Sequence, residues 1–303
     1  MTSAGVQFLV YRPEVSLFTF TRNRLRRMHR KLVVVDDALG FTGGINIIDD
    51  MDTPGQVPPR YDYAVSVEGP LVSAMEAAAR RLWMIVAWAK LKRRGKPGAI
   101  KSQTVKGDQL ATFVVRDNFR HRRDIENLYL SAIKKATSEV IVANAYFFPG
   151  IRFRHALVSA AKRGVKVTLL LQGKVEYLWL HYASRALYGS LLDAGVTIYE
   201  YKKSFMHAKV AVIDKHWATV GSSNIDPFSL LLAMEANVVL EDPAFAIQLL
   251  QSLLDAIKHG SERVAPEDWK NQPFITRVLS WISYGLARLA MSMNGVSKEY
   301  GIK

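Results

Sequence analysis

Two short stretches of this 303-residue chain carry the same reactive side chains at the same spacing. His29, Lys31, Asp36, Gly43 and Asn46 recur as His207, Lys209, Asp214, Gly221 and Asn224. The first three positions alone should match by chance on the order of once per ten thousand starting points. A lone His or Lys is by default a structural or solvated residue, but a repeated set with a shared Gly and Asn downstream reverses that default.

The set suits one kind of chemistry. A phosphodiester is anionic and repels nucleophiles, so a site must neutralise its oxygens, place a nucleophile in line and protonate the leaving alkoxide. Two Lys and two Asn serve the first need. An imidazole near its reference pKa of about 6.5 exists in both protonation states at neutral pH, so one copy can attack while the other delivers a proton. The intermediate is then a phosphoramidate on the attacking ring, and the second ring, now neutral, activates the incoming hydroxyl. This scheme calls for no metal and no cofactor. A carboxylate on the other ring nitrogen would set each tautomer; Glu235 is the candidate for His207 and Asp62, in YDYAVSV, for His29. Asp36 and Asp214 count with the catalytic set by position, although an Asp there more often stabilises a turn or pairs with a basic neighbour than touches substrate. The histidines at 121, 155, 181, 216 and 259 lack a repeated context and default to structural roles.

The elements that must hold these groups follow from periodicity. Within a strand, residues two apart share a face, so His and Lys of each copy point the same way. Each copy reads as a short apolar strand after Gly5-Val6 or Gly195-Val196, a second strand opened by the His-Lys pair (Leu32 to Val35, Val210 to Ile213), and a third ending at a Gly-rich turn. Upstream of Gly195 the pattern predicts a helix near Ile125 to Lys135, a strand Glu139 to Ala143, a helix near Phe153 to Arg163, a strand Val165 to Leu171 and a helix near Arg185 to Ala194. The first copy has no counterpart for these, because the sequence begins at Met1; a start recorded too late is the expectation.

Length and an apolar fraction of 49% point to about two globular domains. The formal charge of +14 favours polyanionic partners, nucleic acid or an anionic membrane face. Basic stretches Arg22 to Lys31 and Arg116 to Arg123 would draw in anionic lipid. Cysteine is absent, which excludes disulfides and thiolate metal sites. There is no secretory signal pattern and no run of about 18 apolar residues. Lys90 to Lys106, rich in Gly, Pro and positive charge, reads as a linker. The expected organisation is a first half at 1–97, a second at 98–264, and an amphipathic helix and tail at 265–303. Leu71 to Leu91, with Trp83 and Trp88 beside Arg80, Arg81 and Lys90, reads as a packed helix whose composition also suits a membrane interface. FITRVLSWISYGLARLAMSM after Pro273 divides evenly between interfacial and docked helix.

The duplicated His-x-Lys motif resembles the signature of the phospholipase D superfamily. With NRLRRMHRKLVVVD, FTGGIN, DYAVSVEGP, ANAYFFPG, HWATVGSSNIDPFSL and MEANV, the segment from about Gly5 to Asp242 looks like bacterial cardiolipin synthases, most closely the B type. The resemblance implies an α/β fold, a phospholipase D-like pseudo-dimer of two mixed-sheet halves, the first lacking its N-terminal strands and helices. It implies transfer of a phosphatidyl group from phosphatidylglycerol to the hydroxyl of a second phospholipid headgroup through a phosphohistidine. Carried over, its catalytic residues are His29, Lys31, Asn46, His207, Lys209, Ser222 and Asn224, with Glu235 supporting His207 and His29 the attacking ring. Gly44 stands where the second copy has Ser222, so the two phosphate cradles differ. The implied partners are phospholipids and an anionic membrane surface, with no obligate nucleic acid and an oligomer left open, and the implied location is peripheral on the bacterial inner membrane. Two other readings share the same residues: a nuclease or other water-using phosphodiesterase, and an inactive membrane-binding fragment.

Overall fold

A computed structural model describes residues 2–11, 27–51, 57–90, 99–174 and 178–293. The first half contributes a short antiparallel sheet of β1 (Leu32–Val35), β2 (Leu39–Gly43) and β3 (Ala64–Glu68), followed by helix α1 (Pro70–Ala89). After a connection come β4 (Leu110–Arg116), α2 (Asp124–Lys135), β5 (Glu139–Asn144), α3 (Ile151–Lys162) and β6 (Lys166–Gln172). Next are α4 (Leu178–Arg185), α5 (Tyr188–Leu192), β7 (Thr197–Tyr201), β8 (Lys209–Ile213), β9 (Trp217–Gly221), α6 (Pro227–Leu231) and β10 (Glu235–Glu241). The chain then continues through α7 (Pro243–Gly260), β11 (Ser261–Arg263), α8 (Pro266–Lys270) and α9 (Phe274–Met293).

The second half is an eight-stranded mixed sheet in the order β11-β7-β6-β5-β8-β9-β10-β4. Its central strands are apolar at nearly every position because helices cover both faces. Val140 and Val142 of β5 and Val167, Leu169 and Leu171 of β6 point into one core with Ile125, Tyr129, Phe153 and Leu157 of α2 and α3. The alternate residues Ile141, Ala143 and Leu170 point into the other core, closed by Leu249, Leu250 and Leu253 of α7. Val65 of β3 joins this second core, packed with Val220 and Val238, so the small sheet is anchored to the large one.

The repeat is visible as equivalent ladders. Leu32 pairs Thr42 as Val210 pairs Val220, and Gly43 pairs Ala64 as Gly221 pairs Asn237. The register makes Asp62 and Glu235 equivalent positions, each two residues before the partner of the glycine.

The expected strand after Gly5-Val6 is not formed: among the described residues, 6–10 join no β-ladder, and Val6, Phe8 and Val10 are each nearly half exposed. Its counterpart β7 lies between β6 and β11. The helix expected across Arg185 to Ala194 is the shorter α5, Tyr188–Leu192, preceded by a separate helix, α4, that ends at Arg185. α9 is both docked and amphipathic: Ser280, Tyr284 and Ala287 are buried, while Ile275, Leu279, Trp281, Ile282, Leu286 and Leu289 face outward. No helix among the described residues is long and apolar enough to cross a membrane. Part of the expected linker (91–98), part of the first basic stretch (22–26) and the tail after 293 lie outside the described residues.

Candidate active site

Each repeated His sits just before its strand and is held by the other half of the molecule. Met28 forms a parallel bridge with Met234, and the His29 amide donates to the Met234 carbonyl at 3.0 Å. Reciprocally, Tyr61 bridges Met206, and the His207 amide donates to the Tyr61 carbonyl at 2.8 Å. These bridges put the carboxylate that follows each partner beside the ring of the opposite copy. His29 Nδ1 lies 3.0 and 3.1 Å from the two Glu235 oxygens and 3.2 Å from the Ser222 carbonyl, and His207 Nδ1 lies 2.7 Å from Asp62 Oδ2.

The carboxylate partners expected from sequence are therefore reversed: Glu235 serves His29, and Asp62 serves His207. The cause is the bridge pattern, since a strand's own carboxylate lies on the adjoining ladder and its own histidine faces across the interface. In both cases a proton on Nδ1 satisfies the carboxylate and leaves Nε2 as the lone pair.

Lys31 immediately precedes β1, and Lys209 opens β8. Lys31 Nζ donates to the His29 carbonyl at 2.9 Å, and Lys209, fully buried, donates to the His207 carbonyl. Burial lowers Lys31 to about 8, against the attraction of Glu235 and Asp62. Burial lowers Lys209 further, to about 7, with the Lys31 charge adding to the effect and Asp62 and Glu235 opposing it. His207 is pushed to about 4, first by burial and then by Lys209 and Lys31, against its hydrogen bond to Asp62. The Lys31 charge thus reaches His207 and Lys209 across the boundary between halves.

Asn224 is buried; its Nδ2 lies 3.4 Å from Ser229 Oγ, and its Oδ1 has no hydrogen-bond partner. Asn46 is half-buried in the equivalent turn. Ser222 Oγ donates to Glu235 Oε2 at 2.5 Å and accepts from the Ala236 amide at 3.1 Å. Gly44 has no room for this arrangement: a Cβ there would lie 2.2 Å from Asp62 Oδ1. The shorter Asp carboxylate lies where the second copy places a serine side chain, so Gly with Asp replaces Ser with Glu.

Asp36 and Asp214 lie elsewhere. Each opens a turn with consecutive left-handed residues, φ 50° and 57° at Asp36 and Asp37 and φ 50° and 53° at Asp214 and Lys215. The amides of Ala38 and His216 close these turns onto Val35 and Ile213, the type I′ geometry that favours Asp. Asp214 also accepts from the amides of Thr137, Ser138 and Glu139 and from both hydroxyls, at 2.8 to 3.0 Å. Burial works against the Asp214 carboxylate, but these donors hold it well below the usual range. Seven residues from His207 at the far end of β8, it is about 23 Å along the strand from the ring.

Sequence reasoning missed three supports. Arg116, assigned there to a surface basic stretch, is buried and donates to the carbonyls of Leu231 and Ala233 and to Asn118 Oδ1, bracing the segment that ends at Glu235. Arg30 Nε donates to the Glu235 carbonyl at 3.2 Å. Asn144 Oδ1 accepts from the Ile225 amide at 3.0 Å and positions the turn after Asn224. Only Asn144 left a trace in the sequence, as a polar residue closing an apolar strand. The described residues contain no cluster of three or more His, Asp or Glu placed to hold a metal ion.

Residues 129–257 match the family model described as cardiolipin synthase, PLD-like domain. Among its relatives are cardiolipin synthase B of Salmonella typhi, 42% identical over 274 residues, and cardiolipin synthase B of Escherichia coli (strain K12), 41% identical over the same length. Each alignment covers 87% of this chain and 64% of the relative, so the chain spans less than two thirds of the length of these relatives. The solved structure of phosphatidylserine synthase from Haemophilus influenzae Rd KW20 shares the fold, with a TM-score of 0.67 at 11% identity over 91% of this chain and 72% of that one.

Proposed function

We propose that this chain is a phosphatidyltransferase of the cardiolipin synthase kind, moving a phosphatidyl group from phosphatidylglycerol to a hydroxyl of a second phospholipid headgroup. The reading rests on the crossed pairs His29–Glu235 and His207–Asp62, which build one two-histidine site from both halves. The sequence relatives supply the substrate class.

In this reading the phosphodiester is held by Lys31 and Lys209 with the amides of Asn46 and Asn224. His29, its Nδ1 proton enclosed by three acceptor oxygens, attacks phosphorus through Nε2. The bond to the glycerol oxygen breaks as His207 protonates it; the approaching phosphate supplies the anion that raises His207 from its depressed value. Neutral His207 then takes the proton of the acceptor hydroxyl, whose oxygen displaces His29 and re-forms the phosphodiester. Membrane attachment is peripheral, through apolar and cationic surface rather than a span.

Purified protein incubated with labelled phosphatidylglycerol should yield cardiolipin and glycerol. Release of nucleotides from labelled single-stranded DNA, without cardiolipin, would shift the reading to a nuclease; no product from either substrate would leave a non-catalytic lipid-binding chain. After rapid quenching, the label should sit on His29, and a label on His207 would reverse the two histidine roles.

A further inference from the structure

The two catalytic rings have different walls. Residues two apart share a face, so the side chain two positions before each histidine lies on that histidine's side of the chain. In the first copy this residue is Arg27, which is exposed; in the second it is Phe205, which is buried. Their backbones are equivalent: the Arg27 carbonyl accepts from the Met234 amide at 2.8 Å, and the Phe205 carbonyl from the Tyr61 amide at 2.9 Å. The Phe205 ring lies 6.3 Å from the His207 ring, with 24° between their planes, and the Arg60 guanidinium sits 5.4 Å from the Phe205 centroid. A second aromatic meets His207 edge-on: Tyr146, 6.4 Å away with the planes at 83°. Tyr146 follows β5 and is held there because the Ala145 amide donates to the Ala208 carbonyl at 2.9 Å. Every other residue from 140 to 150 is buried, whereas Tyr146 is half-buried. The one residue of this segment that keeps access to solvent does so against a catalytic imidazole.

In the phosphatidyltransferase reading, on which this inference rests, His207 takes the proton of whichever hydroxyl displaces His29. If that hydroxyl belongs to a phospholipid headgroup, its oxygen bonds to phosphorus, the phosphorus–nitrogen bond to His29 breaks and the product is cardiolipin. If it belongs to water, the same bonds form and break and the product is phosphatidic acid. Water is smaller and far more abundant, so a transferase must keep it from the ring. An aromatic edge offers water few hydrogen-bond partners while covering a carbon-rich headgroup well. We propose that Tyr146, backed by Phe205, is a specificity-determining residue that favours a lipid headgroup hydroxyl over water at His207. His29 has Arg27 at the position of Phe205, so this aromatic wall belongs to the proton-transferring ring.

Wild type, Y146F, Y146A and Y146N are supplied with labelled phosphatidylglycerol in vesicles, and the ratio of phosphatidic acid to cardiolipin is read. Y146A and Y146N should raise that ratio roughly tenfold or more, and Y146F should stay within about threefold of wild type, because the ring rather than its hydroxyl forms the cover. F153L, a substitution in the core under α3, gives the outcome of packing loss alone: both products fall together and the ratio holds. The same pattern in Y146A and Y146N would make Tyr146 a packing residue and overturn the proposal. The second readout needs no turnover. In wild type the His207 ring should titrate at about 4 by NMR, held there by burial and by Lys209 and Lys31, against Asp62. In Y146A and Y146N those three charged groups are unchanged but water reaches the ring, so its titration should rise toward the ordinary value of about 6.5. An unmoved titration overturns the water-excluding role. Absence of any phosphatidyl product from wild type would defeat the transferase reading, and the titration would then decide the role of Tyr146 by itself.

Discussion

The hairpin β1–β2 and the hairpin β8–β9 have the same register and the same turn but different surroundings. β8 lies between β5 and β9 and is buried at all five positions, whereas among the described residues β1 pairs with β2 alone and leaves Val33 and Val35 nearly half exposed. The consequence reaches the chemistry: the His207 side chain is 10% exposed against 30% for His29, and Lys209 is pushed lower than Lys31. Local sequence builds the hairpin and its reactive groups; the number of neighbouring strands sets how dry those groups are, and so how far their protons are perturbed.

The largest effect should come from cutting the links between the hairpins. H29A and H207A should each lower phosphatidyl transfer about a thousandfold or more. In double-mutant cycles on kcat/KM, H29A should couple to E235Q and H207A to D62N by about 1–3 kcal/mol. Coupling of H29A to D62N instead would restore the partnership within each half and overturn the crossed site.

The drier hairpin should also dominate the acid response. Folded His207 takes a proton at about 4, whereas unfolded it does so near 6.5. Above 6.5 both states are neutral and nothing changes. As pH falls from 6.5 to 4 the unfolded chain gains a proton that the folded chain refuses, costing at most about 3 kcal/mol. H207Q should flatten the melting temperature over this window; an unchanged acid slope would place the titrating group elsewhere.

The turns give the smallest contrast. Asn tolerates left-handed backbone as Asp does, so D214N tests the loss of the charge and of one of the two oxygens that accept from three amides and two hydroxyls. It should cost about 1–2 kcal/mol in chemical denaturation, while D36N, whose carboxylate has none of these donors, should stay within about 0.5 kcal/mol. Both should keep near-normal turnover once folded; a thousandfold loss in D214N would return that aspartate to the catalytic set.

Much of this was legible in the chain. The strands at 139–144 and 166–172 and the helices at 124–135 and 151–162 followed from their apolar periods, since each buries its pattern within the second half. The strand expected after Gly5-Val6 did not follow, because a strand depends on neighbours that no local pattern reports. The pairings of Glu235 and Asp62 were read backwards for a related reason: proximity in sequence favoured partners within each copy, while the interface between copies carries the bonds.

The sequence by itself determined that two His-Lys-Asn sets recur, that each begins a hairpin, and that Asp fits the turn, because spacing and backbone preference are local. Only the tertiary structure decided which carboxylate holds which ring, that Arg116 braces Glu235 from within, and that Lys209 is buried while Lys31 is less so. Those outcomes depend on two half-molecules packing so that each supplies the other's hydrogen-bond acceptor, and burial between distant segments is a property of the packed chain that no single segment encodes.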